Sequence, residues 1–580
     1  MARARYANPE LALKLPAWRS ALVFGMLGLG IVALAGRALY LQVQQDDFLR
    51  KEGEIRYNRV IPLKAKRGVI TDREGNTLAR SAQAASIWVN AKEAAGLVTL
   101  EQFRQLSDLL KVPETELRAR FASKDREFVY LKRRINPELA KTILDLKVPG
   151  VYQQPEYVRL YPAHEMMAHI VGFTDNDEKG QEGIERARNS LLAGQDGRWK
   201  VIRDRRGYVV EDVGTKVLPK DGETVTLSID SDIQYWAYHE LVAGVAAAKA
   251  KAGGVVVLDA HTGEILALAN LPTYNPNNRS KIDPSRMRNR VLTDQFEPGS
   301  MMKPLSIATA LDAGIVQPTT LIPTSGSTQI GGRTITDTHN YGSLTVEGVV
   351  QKSSNIGTAT IALRMPAETL WSLFDRVGLG KVPGTGFPGE ARGKLRSPKT
   401  WQTVEQATMS YGYGLSVSLM QIARAYMVFA NNGAIRPVSI LKLDAPGPAT
   451  QVLKPQTAQQ VLKMLEMVTQ PGGTAQLAQV VGYRVGGKTG TAYKVSGRGY
   501  DKSKYVASFV GVAPISNPRI IVAVMIDEPD PTRHYGGQVA APVFSKIVSD
   551  IMRKMKVPHD APVQTTVIPG FDEPEAETGL

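Results

Sequence analysis

The sequence predicts an α+β protein with three parts. These are a single N-terminal transmembrane helix, an extended mixed pedestal domain, and a domain built on a five-stranded, mainly antiparallel sheet flanked by helices. Three observations carry this. An apolar run at 20–42 follows a basic N-terminus. Residues 43–220 are rich in charge and mix short strands with amphipathic helices. From Asp221 the texture changes to two β runs early, three late, and helices and loops between them.

Length and composition bound the rest. At 580 residues the chain exceeds one ordinary domain, and 43% hydrophobic with 22% charged residues is a globular composition. There is no cysteine, which excludes disulfides, thiolate metal sites and a cysteine nucleophile. The formal charge of +15 could suit nucleic acid, but Lys and Arg are scattered among acids and no nucleic-acid motif is present. A solvated basic surface is the reading.

Residues 1–19 carry Arg3, Arg5, Lys14 and Arg19 against one acid, Glu10, and Ala21–Gly36 has no charge. Basic residues before an apolar run predict an inside N-terminus and a translocated remainder. Ala33-Leu34-Ala35 also fits a signal-peptide cleavage pattern, so the residues alone leave anchor and cleaved signal open. In 43–220, Arg67–Asn76 reads as a strand entering a tight turn at Gly75, and Thr99–Leu110 and Pro137–Leu146 as amphipathic helices. His164 and His169 are five apart, where a zinc-binding helix needs four, so no metal site is proposed.

Beyond Asp221, Thr224–Ile229 reads as a strand and Ser231–Lys251 as a long helix. Gly254–Asp259 and Glu264–Asn270 form a hairpin about the turn Ala260–Gly263. Val485–Lys494, Tyr505–Ala513 and Ile520–Asp527 are the late strands, Ala541–Met555 is a closing helix, and a mobile tail is expected from Pro558. The expected organisation is a cytoplasmic tail (1–19), a transmembrane anchor (20–42), a non-catalytic pedestal (43–220), a catalytic domain (221–557) and a tail (558–580).

Three motifs fall in that domain. In Glu297–Pro304, Pro298 and Gly299 break the preceding run and Leu305–Ala313 reads as a helix stopped by Gly314. Ser300 then sits at a helix start, with Lys303 one turn on and on the same face. A serine hydroxyl is a weak nucleophile until a base takes its proton, and a desolvated neutral lysine can be that base. Alone, Ser-x-x-Lys reads better as a capping serine and a surface lysine. However, Ser353-Ser354-Asn355 follows in a predicted loop between helices, and Lys488-Thr489-Gly490 in a predicted strand. This ordered trio is shared by class A β-lactamases and penicillin-binding proteins.

The chain resembles a class B penicillin-binding protein of the septal, cell-division type, from the membrane segment to about residue 555. The resemblance extends to Arg67–Gly75, Gly180–Glu185, Asn289–Lys303, Tyr411–Gly414, and Gly536-Gly537 with Ala541–Phe544. Met301 departs from it, standing where the family often has threonine.

The resemblance implies a serine peptidoglycan D,D-transpeptidase without cofactor or metal. Ser300 is the expected nucleophile and Lys303 its base, kept neutral by burial and by Lys488 nearby. Ser353 is expected to relay a proton to the leaving amine and Asn355 to hold the substrate's amide backbone. Lys488, Thr489 and Thr491 are expected to receive the terminal carboxylate, with Gly490 among the substrate-binding residues and the oxyanion at the N–H groups of Ser300 and Thr491. It also implies an uncleaved anchor in the bacterial inner membrane, the catalytic domain periplasmic and at the septum. The partners implied are peptidoglycan stem peptides and β-lactams, a SEDS-type septal glycosyltransferase and other divisome membrane proteins. The alternatives are an elongation-type sister, a D,D-carboxypeptidase and a non-catalytic divisome scaffold. No deacylating glutamate is assigned, and an intact trio argues against a dead site.

Overall fold

The computed structural model describes residues 17–43, 58–122, 126–203, 209–212, 216–279, 282–497 and 499–563. Most of the tail expected at 1–19, and the end of that expected from 558, lie outside them. The chain divides into two compact units, 1–65 with 195–220, and 66–194 with 221–580.

In the first unit, Ala17–Val43 is one helix whose large apolar side chains are exposed: Phe24 at 73% and Leu29 at 73%. Its apolar stretch, Ala17–Gln42, has 26 residues. At 1.5 Å rise per residue that is roughly 39 Å, enough to cross a hydrocarbon core of about 30 Å. The unit also holds a three-stranded antiparallel sheet in the order Asn58–Leu63, Gly197–Arg203, Val209–Asp212. Lys64 closes its end on Asp196 at 2.6 Å.

The second unit has two lobes. In the N-terminal lobe Thr77–Val89 is flanked antiparallel by Val129–Ile135 and Val151–Leu160. Helices Leu100–Leu110 and Pro137–Asp145 bury Phe103, Leu106, Leu110 and Ile143 against Ile87 and Val89. The first starts where the sequence says it should, because Thr99 and Gln102 close a capping box. A buried ion triad joins the lobe's segments. Glu185 (0% exposed) takes Arg67 Nε at 2.6 Å on one oxygen and Arg159 Nε at 2.6 Å on the other. Such a triad is a poor source of net stability but costly to break singly, since the survivors remain buried and unpaired.

The second lobe is built on one five-stranded sheet of β1 (Ala252–Asp259), β2 (Ile265–Leu271), β3 (Gly486–Ser496), β4 (Gly499–Ala513) and β5 (Ile520–Asp527). The order is β2-β1-β5-β4-β3 and every pairing is antiparallel, as the two-early, three-late pattern predicts. Every residue of β1 and β5 is buried. Helices therefore cover both faces, and these strands read as unbroken apolar runs. On one face lies α1 (Ser231–Ala247), capped by Asp230 and burying Ile233, Ala237 and Leu241. A Cβ at Gly253 would lie 2.7 Å from a Val245 methyl and 2.9 Å from a Leu241 methyl, so glycine there lets α1 sit close on the sheet. The other helices that matter below are α2 (Lys303–Asp312), α3 (Asn355–Ala362), α4 (Leu419–Ala430), α5 (Pro455–Thr469) and α6 (Ala541–Lys554).

Two expectations need correction. The strand expected at Thr224–Ile229 shrinks to Val225–Thr226 and pairs, in parallel, with Ile70–Thr71 of the other lobe. Its alternation is real, but its partner lies 155 residues upstream, which no local pattern reveals. The mobile tail expected from Pro558 is packed over its first residues, since His559 stacks on Tyr483 at 4.7 Å and Asp560 accepts the Arg484 N–H at 2.7 Å.

The lobes meet at the Arg67–Asn76 turn. Asp72 accepts the N–H groups of Glu74 and Asn76 and the hydroxyl of Ser231, the first residue of α1. Arg73 reaches Glu264 at 3.4 Å, and Lys442 donates to the Arg73 carbonyl at 2.9 Å. The turn is thereby an internal strut of the second unit.

Candidate active site

Ser300 lies in a 3-10 turn, Gly299–Met302, that runs into α2, so α2 starts at Lys303 rather than at Leu305. Turn and helix are buried nearly throughout. The two therefore form a core rod, and Ser300 is only 6% exposed. Tyr426 of α4 donates to the Met301 carbonyl at 2.8 Å. Gly314 takes φ +71° at the helix's end, the left-handed stop expected of it.

Lys303 is fully buried, and its Nζ donates to the Ser353 hydroxyl at 3.1 Å and to the Ser353 carbonyl. The first two motifs therefore meet through this pair. Ser353 sits between helix Val346–Gln351 and α3, as the loop reading predicted, with φ +59°. A left-handed conformation costs a non-glycine residue about 1–2 kcal/mol, so the surroundings must impose it. They do so from both sides. Ser354 caps α3 by accepting the Gly357 N–H at 2.8 Å. Asp337 accepts the Ser354 hydroxyl and the N–H groups of Asn355 and Ile356, at 2.6 and 3.1 Å. Asn355 donates its amide to the Thr336 carbonyl at 3.1 Å.

The third motif lies on β3, at the sheet's edge. Lys488, Thr489 and Thr491 are fully buried. Lys488 donates to the Thr489 hydroxyl at 3.1 Å, which also meets Thr474 at 3.2 Å. Thr491 accepts the Gly536 N–H at 3.0 Å. The Ser300 turn packs on this strand, and two glycines permit it. A Cβ on Gly490 would lie 2.8 Å from the Pro298 carbonyl oxygen and 3.0 Å from Met301. A Cβ on Gly299 would lie 3.3 Å from the Thr491 carbonyl oxygen. Met301 is thus a packing contact of Gly490. Behind the turn, Gly412 (φ +97°) accepts the Gly299 N–H at 3.2 Å, and a Cβ there would stand 2.0 Å from the Gly299 carbonyl oxygen. The tyrosine–glycine loop is therefore a back wall to the turn.

The structure brings Ser300, Lys303, Ser353 and Asn355 together with Lys488–Thr491 around one turn. Its chemistry suits acyl transfer: a hydroxyl at a helix start, two buried lysine amino groups and an edge strand packed beside the serine turn. Residue reading missed Asp337, since a lone aspartate in Thr-Asp-Thr-His has no local signature. We expect Asp337→Ala to lower stability by about 2 kcal/mol, from the lost cap and the unpaired N–H groups. Penicillin acylation should fall about tenfold, as the Ser353 loop relaxes. Thermal melts and labelling rates check both, and Asp337→Asn should recover part of each. His169, expected not to bind metal, is buried on helix His164–Val171, where it donates to the Arg286 carbonyl at 2.8 Å and burial pushes its pKa down to about 4.

A family model described as the penicillin binding protein transpeptidase domain matches residues 253–549, and one described as the penicillin-binding protein dimerisation domain matches 62–227. The chain is 41% identical over 548 residues to the peptidoglycan D,D-transpeptidase FtsI of Escherichia coli K12, covering 94% of this chain and 93% of the relative. Among solved structures it resembles the transpeptidase domain of Burkholderia pseudomallei penicillin-binding protein 3 (52% identity, TM-score 0.54, 58% of this chain and 98% of that one). It also resembles a peptidoglycan synthetase of Bifidobacterium adolescentis (28% identity, TM-score 0.70, 88% and 99%).

Proposed function

The chain belongs to the penicillin-binding proteins that join a dimerisation domain to a transpeptidase domain, and from that premise we propose that it is a membrane-anchored serine D,D-transpeptidase cross-linking peptidoglycan at the division septum. The observation that carries the chemistry is the Lys303–Ser353 hydrogen bond beside a Ser300 turn packed on Gly490–Thr491.

Ser300 Oγ attacks the carbonyl carbon between the two D-alanines ending a stem peptide, and its proton passes to Lys303 Nζ. The oxyanion sits at the N–H groups of Ser300 and Thr491. Asn355 holds the substrate's amide backbone, while Lys488, Thr489 and Thr491 receive the terminal carboxylate. The C–N bond breaks as the proton travels through Ser353 to the leaving D-alanine amine. The 3.1 Å contact of Lys303 with Ser353 supports that relay. An amine of a neighbouring stem peptide then displaces Ser300 from the acyl ester and makes the cross-link. Treating membranes with fluorescent penicillin and mapping the modified residue by mass spectrometry tests the reading. A label on any residue but Ser300 overturns it.

On this reading 20–42 anchor the protein with its N-terminus cytoplasmic, 43–220 form the pedestal and 221–557 the periplasmic catalytic domain. The pedestal relays contact with a SEDS-type glycosyltransferase and other division proteins. All proposed catalytic groups lie in the second compact unit, and the apolar helix lies in the first. Protein lacking residues 1–42 should therefore acylate at nearly the full-length rate. Exported without its anchor at native abundance, it should fail to support septation, because the membrane confines enzyme and polymerase to one plane and raises their effective concentration. Full rescue in a depletion strain would refute the anchoring role.

A further inference from the structure

Thr474 lies outside the three motifs, in Gly472-Gly473-Thr474-Ala475, yet its hydroxyl stands 3.2 Å from that of Thr489. Its loop follows α5 and is held on two sides. The Gly473 N–H donates to the Gln470 carbonyl and the Ala475 N–H to the Val468 carbonyl, both at 2.9 Å. A Cβ on Gly473 would stand 2.2 Å from the Val468 carbonyl oxygen, so glycine lets the loop fold back on the helix end. Across the loop, the Thr474 carbonyl packs on Gly537, where a Cβ would stand 2.3 Å from its oxygen. The end of α5 is itself tied to β3. The Thr469 hydroxyl donates to the Val485 carbonyl at 2.7 Å, one residue before the strand begins.

Thr489 is held as closely. Its methyl group lies 3.6 Å from where a Gly537 Cβ would be, and a β-branched side chain packed in this way keeps one rotamer. The hydroxyl is thereby presented to Lys488 Nζ, which donates to it at 3.1 Å, and to Thr474 Oγ1. These are its two hydrogen-bond partners among the described residues. A hydroxyl has one proton to give and two lone pairs with which to accept. Lys488 occupies one lone pair. The other lone pair and the proton are left to Thr474 and to a ligand.

We propose that Thr474 is a positioning residue for the substrate's terminal carboxylate: its hydroxyl donates to Thr489 Oγ1, so that, with Lys488 on the other lone pair, the Thr489 proton is aimed at the carboxylate alone. The inference deepens the reaction proposed above and rests on its assignment of Thr489 to that carboxylate. The direction of the Thr474–Thr489 bond follows from the ligand. An ionised carboxylate only accepts, so Thr489 must give it the single proton it has. The 3.2 Å contact can then persist only with Thr474 as the donor. All three capacities of the Thr489 hydroxyl are used in that arrangement, and it cannot turn away from the ligand. Hydrogen bonds in a chain polarise one another, so the outer bond from Thr474 strengthens the inner, charge-assisted bond to the carboxylate. Thr474 acts through Thr489, and its shape matters less than its hydroxyl.

The test uses the full-length protein in detergent, with the second-order rate of fluorescent-penicillin acylation measured alongside melting temperature. Thr474→Val keeps the shape and removes the hydroxyl. It should acylate about two- to tenfold more slowly, the usual net worth of one hydrogen bond, with little change in melting temperature. Thr474→Ala, which cannot overpack the loop, should lose as much, and Thr474→Ser should recover the wild-type rate. Thr489→Val should be slower than Thr474→Val, and the double variant no slower than Thr489→Val, because Thr474 has no other route to the ligand. A folded Thr474→Val or Thr474→Ala at the wild-type rate overturns the proposal. A faster one does so too, since Thr474 would then be competing with the carboxylate for the Thr489 proton. Losses that add in the double variant, or a Thr474→Ser as slow as Thr474→Val, also overturn it. A folded Thr489→Val that acylates at the wild-type rate sinks the carboxylate assignment instead, whatever the Thr474 variants do.

Discussion

Ser300→Ala is expected to take no penicillin label, a loss of at least about 10³-fold in acylation, while the protein stays folded. The side chain is 6% exposed and the substitution removes one oxygen without adding volume, so the turn on Gly490 and Gly412 should survive. Melting temperature should change little. A nucleophile acts as a unit with its base, so its removal costs about as much as removing both. Labelling of a folded Ser300→Ala protein at the wild-type rate would show that penicillin acylates another group and that the trio is not the site.

Lys303→Arg should slow acylation by about 10²–10⁴-fold, the usual contribution of a general base. The replacement keeps a cation beside Ser353 but cannot release a proton near neutrality. If Lys303 served only as a fixed charge, arginine would substitute tolerably. Because the lysine is fully buried, the larger guanidinium risks overpacking, so Lys303→Met should be made alongside. Methionine approximates the lysine stem without an amine, and it should be as slow as arginine with an unchanged melting profile. Normal acylation in either folded variant would place the base elsewhere.

The remaining expectations are graded by how directly each residue meets the reacting atoms. Asp337 acts through the Ser353 loop, so its loss should cost about tenfold rather than thousands. This ordering is itself a test. A loss at Asp337→Ala as large as at Lys303→Arg, in folded protein, would put that carboxylate in the proton path.

The sequence by itself determined the elements whose cause is local. Helix starts at Leu100 and Ser231 follow from capping residues, the five strands from apolar runs bounded by turns, and the apolar helix from 26 consecutive residues compatible with a membrane. It also supplied the reactive side chains, because a serine, its lysine and two partner motifs keep a recognisable order along the chain. Tertiary structure decided what depends on distant partners. The fragment at Val225 joins the other lobe because Ile70 lies beside it. Ser353 holds a left-handed backbone because Asp337, 16 residues upstream in sequence, caps α3. Lys303 reaches Ser353 rather than solvent because α2 is buried on nearly every side. Side-chain identity and short-range periodicity are written along the chain, whereas burial and cross-chain hydrogen bonds exist only after segments hundreds of residues apart have packed.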